Sequence, residues 1–145
     1  MNISVSRLIL VSLAGVVVCG AMQASQTYKG LEIKAVGVER STRVSLQDCP
    51  PGANIVRGVI RPIEDNEFAT IQLDVKVLPA FDDGEIPKPL LYDDAGNEYK
   101  TAQSFRDVSS QDAYTCNFSF RLPKGTKLAR LAIEDTSLDI SELEK

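Results

Sequence analysis

An all-β fold, an antiparallel sandwich of about seven short strands, is predicted by three features of the sequence. Apolar and polar residues alternate with period two in several segments. Those segments are separated by Gly-, Pro- and Asp-rich turn chemistry. No long stretch carries a helical period. Period-two alternation puts one set of side chains on a core and the other in water, and many short strands of this kind belong to sandwiches. A closed barrel satisfies the same pattern.

The first strand runs over Leu31-Glu32-Ile33-Lys34-Ala35, after which the apolar phase slips to Val36 and Val38. A one-residue slip would turn every later side chain to the other face, so a β-bulge is expected near Ala35. Cys49-Pro50-Pro51-Gly52 cannot continue a central strand, because a proline has no N–H to donate. Residues 55–60 form a weaker strand interrupted by Gly58. The clearest strand is Ile71-Gln72-Leu73-Asp74-Val75-Lys76-Val77.

A stiff acidic loop over residues 79–89 follows, with Pro79, Pro87 and Pro89. Leu90-Leu91-Tyr92 and Asn97-Glu98-Tyr99 flank Asp93-Asp94-Ala95-Gly96, a hairpin in which Gly96 supplies a positive φ. Residues 101–112 are polar and read as a loop with at most one helical turn. Residues 114–122 alternate again, and Cys116 is in phase with Tyr114, Phe118, Phe120 and Leu122, so its sulfur should point inward. Pro123-Lys124-Gly125 turns the chain into a last core strand at 128–133, and the tail 136–145 is an edge strand or a short helix.

Ahead of this domain, residues 1–24 have the parts of an export signal. Arg7 precedes an apolar run over residues 8–18, and small residues Cys19, Gly20, Ala21 and Ala24 follow. The run is too short for a spanning helix, which needs about 20 apolar residues. Cleavage after Ala21 or after Ala24 is expected, and acylation at Cys19 is the alternative, although Val18 fits a lipoprotein box poorly. Residues 25–145 are then one periplasmic or secreted domain, bound to a membrane only if Cys19 is acylated. Arg7 is the one charged residue of the signal, so of 16 basic and 20 acidic residues 15 and 20 remain, a net charge of −5. Such a surface repels nucleic acid and anionic lipid.

Ordinary cleavage leaves two cysteines, Cys49 and Cys116, in an oxidising compartment, where they are expected to pair. Two buried free thiols are the alternative. Chemistry is limited by the inventory. The chain has no histidine, which excludes Ser-His and Cys-His nucleophiles and imidazole-based zinc sites. It has no Gly-rich phosphate loop and no dinucleotide fingerprint. No catalytic residue, cofactor or metal is therefore expected.

Two acidic clusters, Asp82, Asp83 and Glu85 in one loop and Asp93, Asp94, Asn97 and Glu98 in the hairpin, could in principle hold calcium, but turn chemistry explains them better. Asn117-Phe118-Ser119 matches a glycosylation acceptor inside a strand and is read as coincidence.

Residues 90–99, followed by Phe118-Ser119-Phe120-Arg121-Leu122-Pro123-Lys124-Gly125-Thr126-Lys127, form a pattern similar to the telokin-like, immunoglobulin-fold domains of small secreted bacterial proteins of unknown function. The likeness is best over residues 68–133 and implies an immunoglobulin-like β-sandwich. It implies no activity, because fold alone does not carry one. The chain departs from antibody domains: it has no Trp, and Cys49 lies in a Pro-Pro-Gly loop rather than a strand.

The expected function is that of an exported, non-enzymatic binding or envelope-associated structural domain whose partner is a protein or other envelope component, not nucleic acid. The alternative is an inhibitor or ligand-sequestering module acting through the 79–89 loop, and a carboxylate-dependent enzyme ranks third. The loop's candidate residues are Phe81, Asp82, Asp83 and Glu85. Phe81 either serves as an exposed anchor or tucks against the sheet edge.

Overall fold

Alternating side chains can be buried on one face only if a second sheet covers that face, and the chain builds two such sheets. The computed structural model describes residues 24–52, 56–61 and 64–144. The export segment with Arg7 and Cys19 lies outside the described residues, as does Ile55. Ten strands are present among the described residues: β1 (Gln26–Tyr28), β2 (Leu31–Ser41), β3 (Val44–Gln47), β4 (Val56–Ile60), β5 (Asn66–Val77), β6 (Leu90–Asp93), β7 (Glu98–Lys100), β8 (Ala113–Pro123), β9 (Leu128–Ile133) and β10 (Thr136–Asp139). One sheet has the order β1-β2-β5-β8, the facing sheet β10-β9-β6-β7, and β3-β4 form a separate hairpin. Every strand pair is antiparallel. The protein is a β-sandwich with more strands than the seven expected.

The alternation works as its chemistry requires. Leu31, Ile33 and Ala35 of β2, Ile71, Leu73 and Val75 of β5, and Cys116, Phe118, Phe120 and Leu122 of β8 all face the core. Leu91, Leu131, Ile133 and Leu138 meet them from the second sheet. Each of these larger side chains contributes about 1.5–3 kcal/mol by leaving water. On the outer face of the first sheet, Glu32 stands opposite Lys76 and Lys34 opposite Asp74, so that face stays charged and solvated.

The expected bulge is present: Ala35 pairs with Leu73 and Gly37 with Gln72, leaving Val36 as the extra residue. The Asp93–Asn97 hairpin is also as expected, with Gly96 at φ 85°. Asp93 is buried, and its carboxylate accepts from Ala95 N (3.0 Å), Asn97 N (2.8 Å), Asn97 Nδ2 (2.9 Å) and the Tyr99 hydroxyl (2.9 Å). The Asn97 side-chain amide is the largest cause that lowers its pKa below the ordinary aspartate value. This acid is therefore occupied in building the turn.

The tail resolves as the edge strand β10. The stretch 101–112 is a loop with one 3-10 turn, Val108–Ser110. The hairpin β3-β4 packs Val44 and Leu46 on Phe68, which the alternation of β5 puts on the outer side of its sheet. Arg40 ties the tail to this region, with Nε 2.5 Å from Glu144 and Nη1 2.9 Å from Glu67, while Nη2 donates to the Thr126 carbonyl.

The two flanks of the sandwich close differently. On one, Tyr28 of β1 donates its hydroxyl to Glu134, in the turn between β9 and β10. On the other, no further strand pairs with β8 among the described residues, and its outward backbone groups meet a side chain instead. Gln103, 1% exposed, donates through Nε2 to the carbonyls of Gln47 and Asn117, both at 2.5 Å, and accepts at Oε1 from Ser119 N at 2.6 Å. Alongside, Cys49 N donates to Ser104 O (2.9 Å) and Arg106 N to Cys49 O (2.8 Å). Cys49 is disulfide-bonded to Cys116 of β8, with Cα atoms 5.4 Å apart.

Replacing Gln103 by Leu keeps the volume but strips partners from three backbone groups, two of them on β8. At about 1–3 kcal/mol for each buried group left unsatisfied, partly relieved by water, a loss of about 3 kcal/mol in a urea unfolding titration is expected. A loss under about 0.5 kcal/mol, the range of ordinary surface substitutions, would contradict this role.

Candidate functional site

The crossover from the first sheet to the second must leave β5 at one end of the sandwich and enter β6 beside it. Residues 78–89 make this passage without regular secondary structure. Leu78 N donates to Gly30 O at 2.9 Å, and Phe81 N closes a turn on Leu78 O at 3.0 Å. The loop then lies directly on the β1–β2 turn: a Cβ added to Gly30, whose φ is 88°, would stand 2.5 Å from Phe81 N. Only glycine serves at this position.

Further along, Asp82 Oδ1 accepts from Gly84 N at 3.1 Å, and Asp83 takes a left-handed conformation at φ 57°. Asp and Asn adopt this conformation more readily than other residues that carry a side chain. Ile86 turns back and is buried in the core.

The opposing wall comes from residues 105–109. Phe105 is 8% exposed and packs on Phe118, with ring centroids 4.9 Å apart. Its backbone runs beside Cys49, in the bridge that the disulfide holds against β8. Val108 is also buried, and the Tyr114 hydroxyl donates to its carbonyl at 2.9 Å. Burial raises the Tyr114 pKa to about 12, so this hydroxyl keeps its proton at any ordinary pH. Arg106 places Nε 3.1 Å from Oδ2 of the buried Asp48, and Asp48 Oδ1 accepts from Ser104 N at 2.8 Å.

Between the walls lies a groove of about 450 Å³. Phe81, Ile86, Phe105 and Val108 form its apolar part, and Asp83, Glu85 and Asp107 bring carboxylates to its rim. Of the loop residues expected from the sequence, Phe81, Asp83 and Glu85 line this groove and Asp82 does not. Phe81 is neither a free anchor nor fully interior. It is half-buried and packs against the main core while one side borders the groove.

Residues 105–109 were not anticipated as part of the site. The aromatic Phe105 within an otherwise polar stretch was the available signal, but its position depends on pairing with Cys49, more than fifty residues away in sequence. Among the described residues, no group of three or more His, Cys, Asp or Glu side chains converges as a metal site would require.

Gly30→Ala is expected to destabilise the protein by about 1–3 kcal/mol, from the positive φ and the displaced crossover together. Thermal unfolding measures it, with Gly52→Ala as reference, since an added Cβ there at a similar φ of 95° meets nothing within 4 Å. Equal losses at the two positions would show that the contact with Phe81 contributes nothing.

No protein-family model matches the chain, and no curated protein matches it. Among solved structures, it is similar to an uncharacterized beta-sandwich protein from Clostridium difficile 630, with a TM-score of 0.47 and 11% sequence identity. The match covers 80% of this chain and 87% of that one.

Proposed function

We propose that the chain is an exported, non-enzymatic binding domain with a telokin-like, immunoglobulin-type sandwich, and that it recognises a protein or other envelope component through the end carrying the 79–89 crossover. The convergence of two separate chain segments, 81–86 and 105–109, on one apolar-floored groove supports this most strongly. Both segments are held from behind, one by the β1–β2 turn and the other by the Cys49–Cys116 bridge. A surface whose backbone is fixed before contact loses little conformational entropy on binding, which favours recognition by loops on a rigid scaffold.

The absence of histidine from the chain and the use of Asp93 within its own hairpin support a binding role over acid–base chemistry. Export rests on the signal pattern around Arg7, and an oxidising compartment suits the cysteine pair.

The test is site-specific photo-cross-linking in an exporting bacterium. A photoreactive residue replaces either Ser109, exposed on the groove wall, or Ala95, exposed in the hairpin at the opposite end. A discrete adduct from position 109 with none from position 95 is expected. Adducts from 95 alone, or indiscriminate adducts from both, would refute binding through this end.

A further inference from the structure

Around the apolar side chains of the groove, exposed carboxylates outnumber the one exposed arginine. Asp83, Glu85 and Asp107 line it and are exposed, and Asp82 lies beside them. Arg106 also lines it and is exposed, and Arg106 and two nearby lysines make contacts within the fold. Lys29 Nζ lies 3.7 Å from Glu134, Lys88 Nζ donates to Ala102 O at 3.4 Å, and Arg106 meets Asp48 at 3.1 Å. Among the described residues, no basic side chain forms an ion pair with Asp83, Glu85 or Asp107. The rim therefore presents a negative potential to solvent above apolar side chains, which repels anionic and acidic ligands and attracts cationic ones.

From this we infer that the groove takes a basic stretch of polypeptide, seating an apolar side chain between Phe81 and Phe105 while its Lys or Arg residues meet Asp83, Glu85 and Asp107. This rests on the binding reading above and adds the chemistry of the partner. Apolar contact gives affinity, and the carboxylates give orientation and rate of encounter.

Fluorescence anisotropy with the purified chain tests it, using three labelled peptides. One is Lys-Leu-Lys-Phe-Lys-Leu-Lys, the second carries Glu at every Lys, and the third keeps Lys but has Gly at every apolar position. The first is expected to bind, the second not at all and the third more weakly. The triple variant Asp83→Asn, Glu85→Gln, Asp107→Asn should weaken the first peptide about tenfold, as three exposed charge pairs would, and added salt should weaken it in the wild type.

Since all three substitutions are at exposed positions, circular dichroism should find the variant folded. Failure of the first peptide to bind, equal binding of the acidic one, or an unchanged affinity in the triple variant would overturn the inference. So would a melting shift with calcium alone that the triple variant abolishes, or self-association of the chain through this groove in sedimentation. An adduct from position 109 without binding of the basic peptide would sink this inference and leave the binding reading standing. Loss of both would remove the reading as well.

Discussion

The last strand of an open sheet leaves a row of backbone donors and acceptors without partners, and the structure depends on how β8 meets that constraint. Bare edges invite pairing with other chains, and buried unpaired groups cost about 1–3 kcal/mol each. Rather than adding a strand, the chain lays the Gln103 amide against Asn117 O and Ser119 N, where its acceptor and donor reproduce one step of a β-ladder. The same amide reaches Gln47 O, so one buried side chain joins the β3 segment to the sheet. The Cys49–Cys116 bond fastens the junction covalently, two residues further along β3's exit.

The consequences run outward from that junction to the surface. With Cys49 held on β8, its backbone can pair with Ser104 and Arg106, and this sets Phe105 against Phe118. Phe105 and Val108 then form one wall of the groove. The other wall depends on a different close contact, the crossover resting on Gly30 where no Cβ fits. Neither wall is made by a strand of the sandwich, yet each is tied to one. The groove is thus assembled from irregular backbone, and its rim carries the exposed carboxylates of Asp83, Glu85 and Asp107 beside Arg106.

Elements with a period or a turn signature were legible in the sequence. The unbroken alternation of residues 71–77 and 114–122 marked β5 and β8 and placed Cys116 inward, and the phase slip after Ala35 marked the bulge. The pairing of Cys49 with Cys116 followed from cysteine arithmetic once residues 1–24 were set aside as a signal. Strands β1 and β3, of three and four residues, were too short for a period to stand out. Gln103 was illegible for a different reason: a buried glutamine in a polar loop looks like any solvated one until long-range pairing brings Gln47, Asn117 and Ser119 around it. The same holds for the groove, of which the 79–89 half was visible as a stiff acidic loop and the 105–109 half was not.

The Cys49–Cys116 junction organises the 103–106 segment locally, while the paired strands β2 and β5 stand on their own hydrogen bonds and core. Amide hydrogen exchange on the Cys49→Ala, Cys116→Ala variant, compared with the oxidised chain under native conditions, tests it most directly. Protection of the Arg106 and Ser119 amides should fall by a larger factor than that of Ile33 and Leu73, after correction for any change in global stability. A uniform fall across all four, or unchanged protection at Arg106 and Ser119, would contradict the account.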